Sequence, residues 1–336
     1  MIPNSSQNVV IVAIGRNEGD RLKSCLRAAM KASTLVTYFD SGSVDGSAEY
    51  ARSAGCNVVE LDPAQPFSAA RARNEGFAFA MEQEPNVSFV QFVDGDCELA
   101  DGWLERGIAA LNARQDVGVV CGHVREIHPE ATVYNKLCDL EWQKTPGELS
   151  ACGGIFMVRA EVVRVAGGFR DDVIAGEDDE FCVRVRRAGW KILLLDAAMA
   201  GHDAAMTHFN EWCRRAMRTG HAYAQVAAIH GRNEQRYFVR DCRRIWIWGL
   251  LLPFVSLCLA PFTYGLSLLL MFGLYALQFG RIYRGGRRRS WSTGDAVTYA
   301  FFTVLAKFPA LVGMLSYHWR MVRGQSLTIM EHKRSS

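Results

Sequence analysis

The sequence predicts an α/β fold on a mixed, mostly parallel central sheet, followed by a helical membrane segment. Three observations predict it. Short apolar runs alternate with helical patterns between residues 9 and 93, as strands joined by crossover helices do. Two acidic clusters, Asp94-Gly95-Asp96 and Glu177-Asp178-Asp179-Glu180, stand at the end of an apolar run and the start of a helical one. Residues 245–280 contain no charged side chain.

Residues 9–14 read as the first strand and 20–31 as a helix. A strand over 35–39 leads into the turn Asp40-Ser41-Gly42-Ser43, then a helix over 45–54. Residues 57–61 form a strand, 67–82 a helix and 87–93 a buried strand. Ligands in such sheets bind beyond the carboxyl ends of the strands. Asn17, Asp40 and Asp94 all follow strands, so one crevice can collect them. Further along, 103–113 and 180–188 read as helices, and 117–124, 155–158 and 191–195 as strands.

A chain of 336 residues suits one large α/β domain with an appendage. The net charge of +3 argues nothing on average, and its distribution matters more; no nucleic acid is expected. Ten cysteines without a C-x-x-C pair lack zinc-ligand spacing and suit a reducing cytosol. No basic segment precedes residues 9–14, so that run is a strand rather than a signal peptide.

As one helix, residues 245–280 would reach about 54 Å, against about 30 Å of bilayer core. Two helices with a turn at Pro261-Phe262-Thr263-Tyr264-Gly265 fit better. Arg243 and Arg244 precede the run, and Arg281, Arg284, Arg287, Arg288 and Arg289 follow it. Both flanks therefore read as cytoplasmic, which a hairpin satisfies. Residues 296–317 carry Lys307 and Pro309 and are followed by His318-Trp319-Arg320. They read as an interfacial helix, with a third span as the alternative. Arg320, Arg323, Lys333 and Arg334 add basic charge for anionic headgroups. The expected domains are 1–235, 241–282 and 290–336.

Two carboxylates held close repel unless a cation lies between them. In Asp94-Gly95-Asp96, Gly95 leaves room for a ligand, and Mg²⁺ or Mn²⁺ bridging to phosphate is the natural partner.

Five segments in order resemble the family 2 glycosyltransferases, which have the GT-A fold. They are Gly15-Arg16-Asn17-Glu18, Asp40-Ser41-Gly42-Ser43-Val44-Asp45-Gly46-Ser47, Ala72-Arg73-Asn74-Glu75-Gly76 and Asp94-Gly95-Asp96. The fifth runs from Gly153-Gly154 through Gly167-Gly168-Phe169 to Glu177-Asp178 and Arg184-Val185-Arg186-Arg187-Ala188-Gly189-Trp190. The resemblance covers roughly residues 8–230. It implies a Rossmann-like nucleotide-sugar-binding domain with Asn17, Glu18 and Asp40 at the base and ribose. Arg73 and Asn74 would help hold the donor, and Gly153 and Gly154 would give close backbone access. Asp94 would touch ribose or metal, Asp96 metal, and His202 a third metal position, with His208 as competitor. Asp178 matches the catalytic base, with Glu177 as substitute. Arg215 and Arg218, three apart on one helix, could clamp a diphosphate.

The Q-x-x-R-W motif of processive relatives is replaced by Glu211-Trp212-Cys213-Arg214-Arg215, so a single transfer per acceptor is expected. The implied partners are a UDP- or GDP-linked sugar, a lipid-linked or glycan acceptor, and a membrane. The implied location is the inner (cytoplasmic) membrane, with the catalytic domain facing the cytoplasm. Rival readings are a sugar-1-phosphate nucleotidyltransferase, which would want a Gly-rich loop after the first strand, and a non-catalytic membrane scaffold.

Overall fold

The computed structural model describes residues 9–233 and 235–324; Lys333, Arg334 and the rest of the expected 290–336 segment beyond Gly324 lie outside the described residues. In chain order the elements begin β1 (Val9–Gly15), α1 (Asp20–Ala32), β2 (Val36–Asp40), α2 (Ser47–Ser53), β3 (Asn57–Glu60) and α3 (Ala69–Gln83). They continue β4 (Phe89–Asp94), β5 (Cys97–Leu99), α4 (Trp103–Ala113), β6 (Val117–Glu126), α5 (Val133–Trp142), β7 (Gly147–Leu149) and β8 (Phe156–Arg159). Then follow α6 (Ala160–Ala166), α7 (Glu177–Arg187), β9 (Lys191–His202), α8 (Phe209–His230) and α9 (Val239–Trp246). A π-helical turn (Ile247–Leu251) leads into α10 (Leu252–Leu259), α11 (Leu266–Arg288), α12 (Thr293–Leu305) and α13 (Lys307–Val322).

The chain divides into two compact units. One holds residues up to His128 with Glu141–Ala204, the other Pro129–Leu140 with the chain from Ala205 onward. The division groups α8 with the C-terminal helices, whereas the sequence reading ends the first domain at 235.

In the first unit the strands run β3-β2-β1-β4-β8-β6-β9-β5, with β7 beside β9. The long ladders, β3-β2-β1-β4 and β6-β9, are parallel, while β8, β5 and β7 pair antiparallel. Val9 to Ile14 are all buried, which explains an apolar run without alternation: helices cover both faces. In α1 the buried residues Leu22, Cys25, Leu26 and Ala29 recur at helical spacing. Ser68 caps α3, its hydroxyl accepting from the Arg71 N–H at 3.0 Å. Gln91 is wholly buried in β4, yet it accepts from Trp103 Nε1 at 2.7 Å and donates to the Phe92 carbonyl at 2.7 Å. Its polar atoms are thereby satisfied, and α4 is pinned to the sheet.

Two boundaries differ from the sequence reading. Helix α7 starts at Glu177, so Asp178 lies in its first turn. Strand β9 runs on to His202, because β6 and β5 both supply pairing partners beyond Leu195; tertiary pairing overrides the weak strand propensity of Ala197, Ala198 and Ala200.

In the second unit, α9, the π turn and α10 are followed by a turn ending at Gly265, in the left-handed region at φ 83°, and then by α11. This is the expected hairpin, closed by a hydrogen bond from Ser267 Oγ to the Ser256 carbonyl at 2.8 Å. The segment expected as one interfacial helix is two, α12 and α13. Among the described residues, three helical stretches are long and apolar enough to cross a membrane: Val239–Leu259, Leu266–Arg288 and Thr293–Val322, the last made of α12 and α13. Phe254, Leu257, Phe262, Leu269, Leu270, Phe272 and Leu277 are exposed on them, an apolar surface larger than a protein in water normally carries. Helices α8 and α13 cross at glycines. A Cβ on Gly220 would lie 1.9 Å from the Ala310 carbonyl oxygen, and one on Gly313 1.8 Å from that of Met217.

Gly76 sets the distance between α3 and β1: a Cβ there would come within 2.3 Å of Val12 Cγ1. Gly76→Ala is expected to cost about 1–3 kcal/mol through overpacking, read as a lower thermal midpoint in detergent; an unchanged midpoint would mean that α3 can back away freely.

Candidate active site

The site gathers where β1, β2 and β4 end and α7 begins, all in the first unit. Asp94 is the last residue of β4. The Gly95 N–H then donates to the Ile14 carbonyl at 2.7 Å, tying the acidic loop to β1. On the Cβ side of Gly95 stand Ile14 O and Glu18 Cγ, each at 3.2 Å. The glycine expected to admit a ligand is thus required by the protein's own packing.

Arg73 organises the carboxylates. Its guanidinium, 2% exposed, donates from Nη2 to Asp94 Oδ1 and from Nη1 to Glu177 Oε1, each at 2.8 Å. Burial works against its charge, but Asp94, Glu177 and Asp178 outweigh burial and hold it well above the ordinary arginine range. Gly154 makes room for this bridge, since a Cβ there would lie 2.7 Å from Arg73 Nη2 and 2.8 Å from Asp94 Oδ2. Arg73 is therefore committed to the acidic groups. Glu177, expected as a substitute base, faces Arg73.

Asp178 lies beside them in the first turn of α7, and its Oδ2 is 3.9 Å from a Cβ position on Gly153. Its pKa is raised, first by burial and then by the Glu177 charge; Arg73 and the Asp179 N–H, which donates to Oδ1 at 2.9 Å, oppose the rise. The α7 dipole also favours the anion, yet desolvation wins. The result is a carboxylate held above its usual range and partly accessible, as a proton acceptor requires.

Asp96 is buried, and its Oδ2 lies 3.1 Å from His202 Nε2. Its Oδ1 accepts from the Cys97 thiol at 3.2 Å. Burial and the Asp96 charge push that thiol well up, leaving it a donor. The ligand atoms of Asp96, Cys97 and His202 lie within 4.8 Å of one another. A carboxylate and an imidazole at this separation fit a divalent cation, with Asp94 Oδ2 on the same loop. His202 carries a neighbour the sequence gave no sign of. The Trp142 indole stacks on it, centroids 4.4 Å apart and planes 9° from parallel.

The remaining expected residues build the frame. Asn17, in the left-handed region at φ 54°, accepts from the Val44 N–H at 2.8 Å and donates its own N–H to Ser43 Oγ at 2.9 Å. Asp40 accepts from Tyr38 OH at 2.9 Å and from the N–H groups of Gly42 at 3.0 Å and Ser43 at 2.7 Å, closing its own turn. Glu18 pairs with Arg21 at 2.8 Å. Asn74 clamps the backbone of Phe169, donating to its carbonyl and accepting from its N–H, each at 2.7 Å. Arg215 and Arg218 lie on α8 in the second unit. His208 serves as N-cap of α8 in a capping box with Glu211, while His202 is the histidine at Asp96.

The comparisons with known proteins bear on the family and the fold. The family model described as glycosyl transferase family 2 matches residues 9–163. The chain is 26% identical over 250 residues to the glycosyltransferase AglE of Haloferax volcanii, covering 70% of this chain and 79% of that protein. It is 26% identical over 238 residues to the pre-mycofactocin glycosyltransferase of Mycobacterium tuberculosis, covering 67% of this chain but only 49% of that one. Among solved structures, a mannosyltransferase from Pyrobaculum calidifontis, determined with GDP-Man and Mn²⁺, is similar at a TM-score of 0.62 and 16% identity, the match covering 93% of this chain and 87% of the other. That likeness speaks to the GT-A fold. The family model, these relatives and the shared fold together support a family 2 glycosyltransferase.

Proposed function

We propose that this glycosyltransferase is inverting and metal-dependent, and works at the cytoplasmic face of the inner membrane. It moves a sugar from a UDP- or GDP-linked donor to a lipid-linked or glycan acceptor, in polysaccharide or glycolipid synthesis. Residues 1–235 form the catalytic part, 241–282 the membrane hairpin and 290–336 the C-terminal appendage. One observation carries the reading. Asp178, held proton-avid by burial, stands beside Gly153, while Arg73 bridges the adjoining Glu177 to Asp94 on the acidic loop. A base and an anion-handling loop thereby share one crevice.

The mechanism is a single displacement. The acceptor hydroxyl approaches the anomeric carbon from the side of Asp178. As the new C–O bond forms, Asp178 takes the hydroxyl proton and the bond to the donor diphosphate breaks with its electron pair. Asp96 and His202, with Asp94, would hold Mg²⁺ or Mn²⁺, which when bound neutralises charge on the departing diphosphate. Arg73 bridges Asp94 and Glu177, and burial together with the Glu177 charge strengthens the affinity of Asp178 for the proton. Asn17, Glu18 and Asp40 shape the loops that receive the nucleotide, and Asn74 fixes the Phe169 segment. Gly153 and Gly154 border the sugar. The GDP-Man and Mn²⁺ of the Pyrobaculum enzyme support the nucleotide-sugar and metal assignments, and the three apolar helices support a lipid-linked acceptor.

Asp178→Asn is expected to leave donor binding intact and to lower transfer roughly 10²–10⁴-fold; weak donor binding by the variant would assign the residue to substrate holding instead. Because the folded pKa of Asp178 is raised above the ordinary aspartate value of 3.8, the acid limb of kcat against pH should lie above the ordinary carboxylate range. The same sign governs stability. A carboxylate with a raised folded pKa costs nothing below its unfolded pKa, destabilises increasingly as pH rises past that value, and does so in full above the folded one. Asp178→Asn should therefore melt higher than the parent near neutral pH, with the gain vanishing below about pH 3.8.

Chelation with EDTA should abolish transfer, and Mn²⁺ or Mg²⁺ should restore it; full turnover in EDTA would remove the metal from the mechanism. Alkaline carbonate should leave the full chain in the membrane pellet, and release into the supernatant would refute the spanning hairpin.

A further inference from the structure

We infer that Lys307 and Arg244 form a binding site for the phosphate of an anionic lipid, built in the second unit where α9 and α13 cross. The inference rests on the membrane reading above and not on the catalytic roles in the first unit.

Lys307 is the sole charged residue between 296 and 317. A lysine in so apolar a stretch is costly, and for that reason it marks a functional position. It opens α13 and is half-buried. Its backbone is held in place, because its carbonyl oxygen lies 2.7 Å from a Cβ position on Gly249 in the π turn. Such a distortion of a helix is frequent at functional sites. One turn away, Ile245 of α9 is buried with Ala310, Leu311 and Met314 of α13. This crossing brings Lys307 near Asp241 and Arg244, the charged groups that act on it. Both belong to α9 and precede the uncharged run 245–280, so the ammonium meets them at the charged end of the hairpin's first helix.

One carboxylate serves two cations here. Asp241 lies 3.6 Å from Arg244, and among the described residues the Lys307 ammonium makes no ion pair or hydrogen bond. The group therefore carries an excess of positive charge, which a further anion would offset. The side chains of Arg244 and Asp241 are 45% and 39% exposed, so a ligand can reach them. The surface beside them is apolar: Trp246, Ile247 and Phe308, adjoining Arg244 and Lys307 in the chain, are all exposed. Cations flanked by an apolar surface suit a phosphate carried on a hydrocarbon chain. Lysine meets such a phosphate as a point charge.

The test uses the full chain, stripped of lipid in detergent. It is titrated with a long-chain polyprenyl phosphate, with phosphatidylglycerol and with the uncharged polyprenol, and bound lipid is read by native mass spectrometry. The parent should bind both phosphate lipids more tightly than polyprenol. Lys307→Gln should weaken the phosphate lipids about fivefold and leave polyprenol unmoved, while Lys307→Arg should stay within about twofold of the parent. Asp241→Asn should tighten the phosphate lipids, since it leaves both cations to the ligand; damaged packing would not tighten them. Preference for polyprenyl phosphate over phosphatidylglycerol supports the site with an acceptor-type lipid in it, and equal binding supports it with membrane phospholipid. Equal affinity of the parent and Lys307→Gln for both phosphate lipids overturns the proposal, as does an equal loss of polyprenol. Should Lys307→Gln fail to fold, Asp241→Asn decides: unchanged or weaker phosphate-lipid binding in that variant overturns it. Release of the parent by alkaline carbonate removes the membrane reading and this site together, whereas retention with unmoved affinities removes the site alone.

Discussion

A guanidinium buried between two carboxylates organises the first unit. Arg73 reaches Asp94, 21 residues away, and Glu177, 104 residues away, and so ties α3, the end of β4 and the start of α7 into one piece. Charge in such a place is tolerated only when paired, because an unpaired buried ion costs several kcal/mol. The three are stable together, and their sum leaves an excess of negative charge around Asp178. That excess, added to desolvation, lifts the Asp178 pKa. One structural pairing thus sets the chemical character of the neighbouring acid.

The same bridge explains the glycines. Gly154 is narrow because Arg73 and Asp94 occupy the space a side chain would need. Gly95 is narrow because Ile14 and Glu18 press on it. Both positions look, from sequence, like openings left for a ligand. Both are places where the protein's own charged loop is packed tightly against β1 and α3. Gly153 differs. It sits at φ 89°, a conformation that side chains rarely adopt, and its neighbour is Asp178. Of the three glycines, it is the one whose missing side chain borders the proposed proton acceptor.

The sheet was legible because it is covered on both sides. Continuous apolar runs such as 9–14 and 87–93 have few structural readings at that length, and the carboxyl-end rule then locates the crevice without coordinates. The acidic residues were legible for a related reason: charge at the end of a buried strand has no place in a core. Arg73 and Asn74 were legible only through the family resemblance. On a helix of mixed polarity they resemble a solvent-facing stripe, and the partners that bury them lie about a hundred residues downstream, in Glu177 and Phe169. His202 was legible as a candidate but not as part of a strand, since the alanine-rich end of β9 has little strand propensity and is held by pairing on two sides. Trp142 left no trace in the sequence, because a stack between rings 60 residues apart follows neither helical nor strand periodicity.

The second unit follows a different packing logic. Helices α8 and α13 approach so closely that backbone carbonyls fill the space over Gly220 and Gly313, and Gly249 is similarly occupied by the Lys307 carbonyl at 2.7 Å from its Cβ position. Close backbone approach at small residues is how helices associate where hydrophobic burial offers no net drive, since lipid is as apolar as leucine. The large apolar side chains of α10 and α11 consequently point outward, and Phe254, Leu257, Leu269 and Phe272 stay exposed. In water that arrangement would be inverted, with the leucines inside and the glycines replaced by residues that fill volume. The division between small residues at the crossings and bulky ones outside is therefore an argument for a lipid environment that is independent of hydropathy, drawn from what each helix presents to its neighbour and to the solvent.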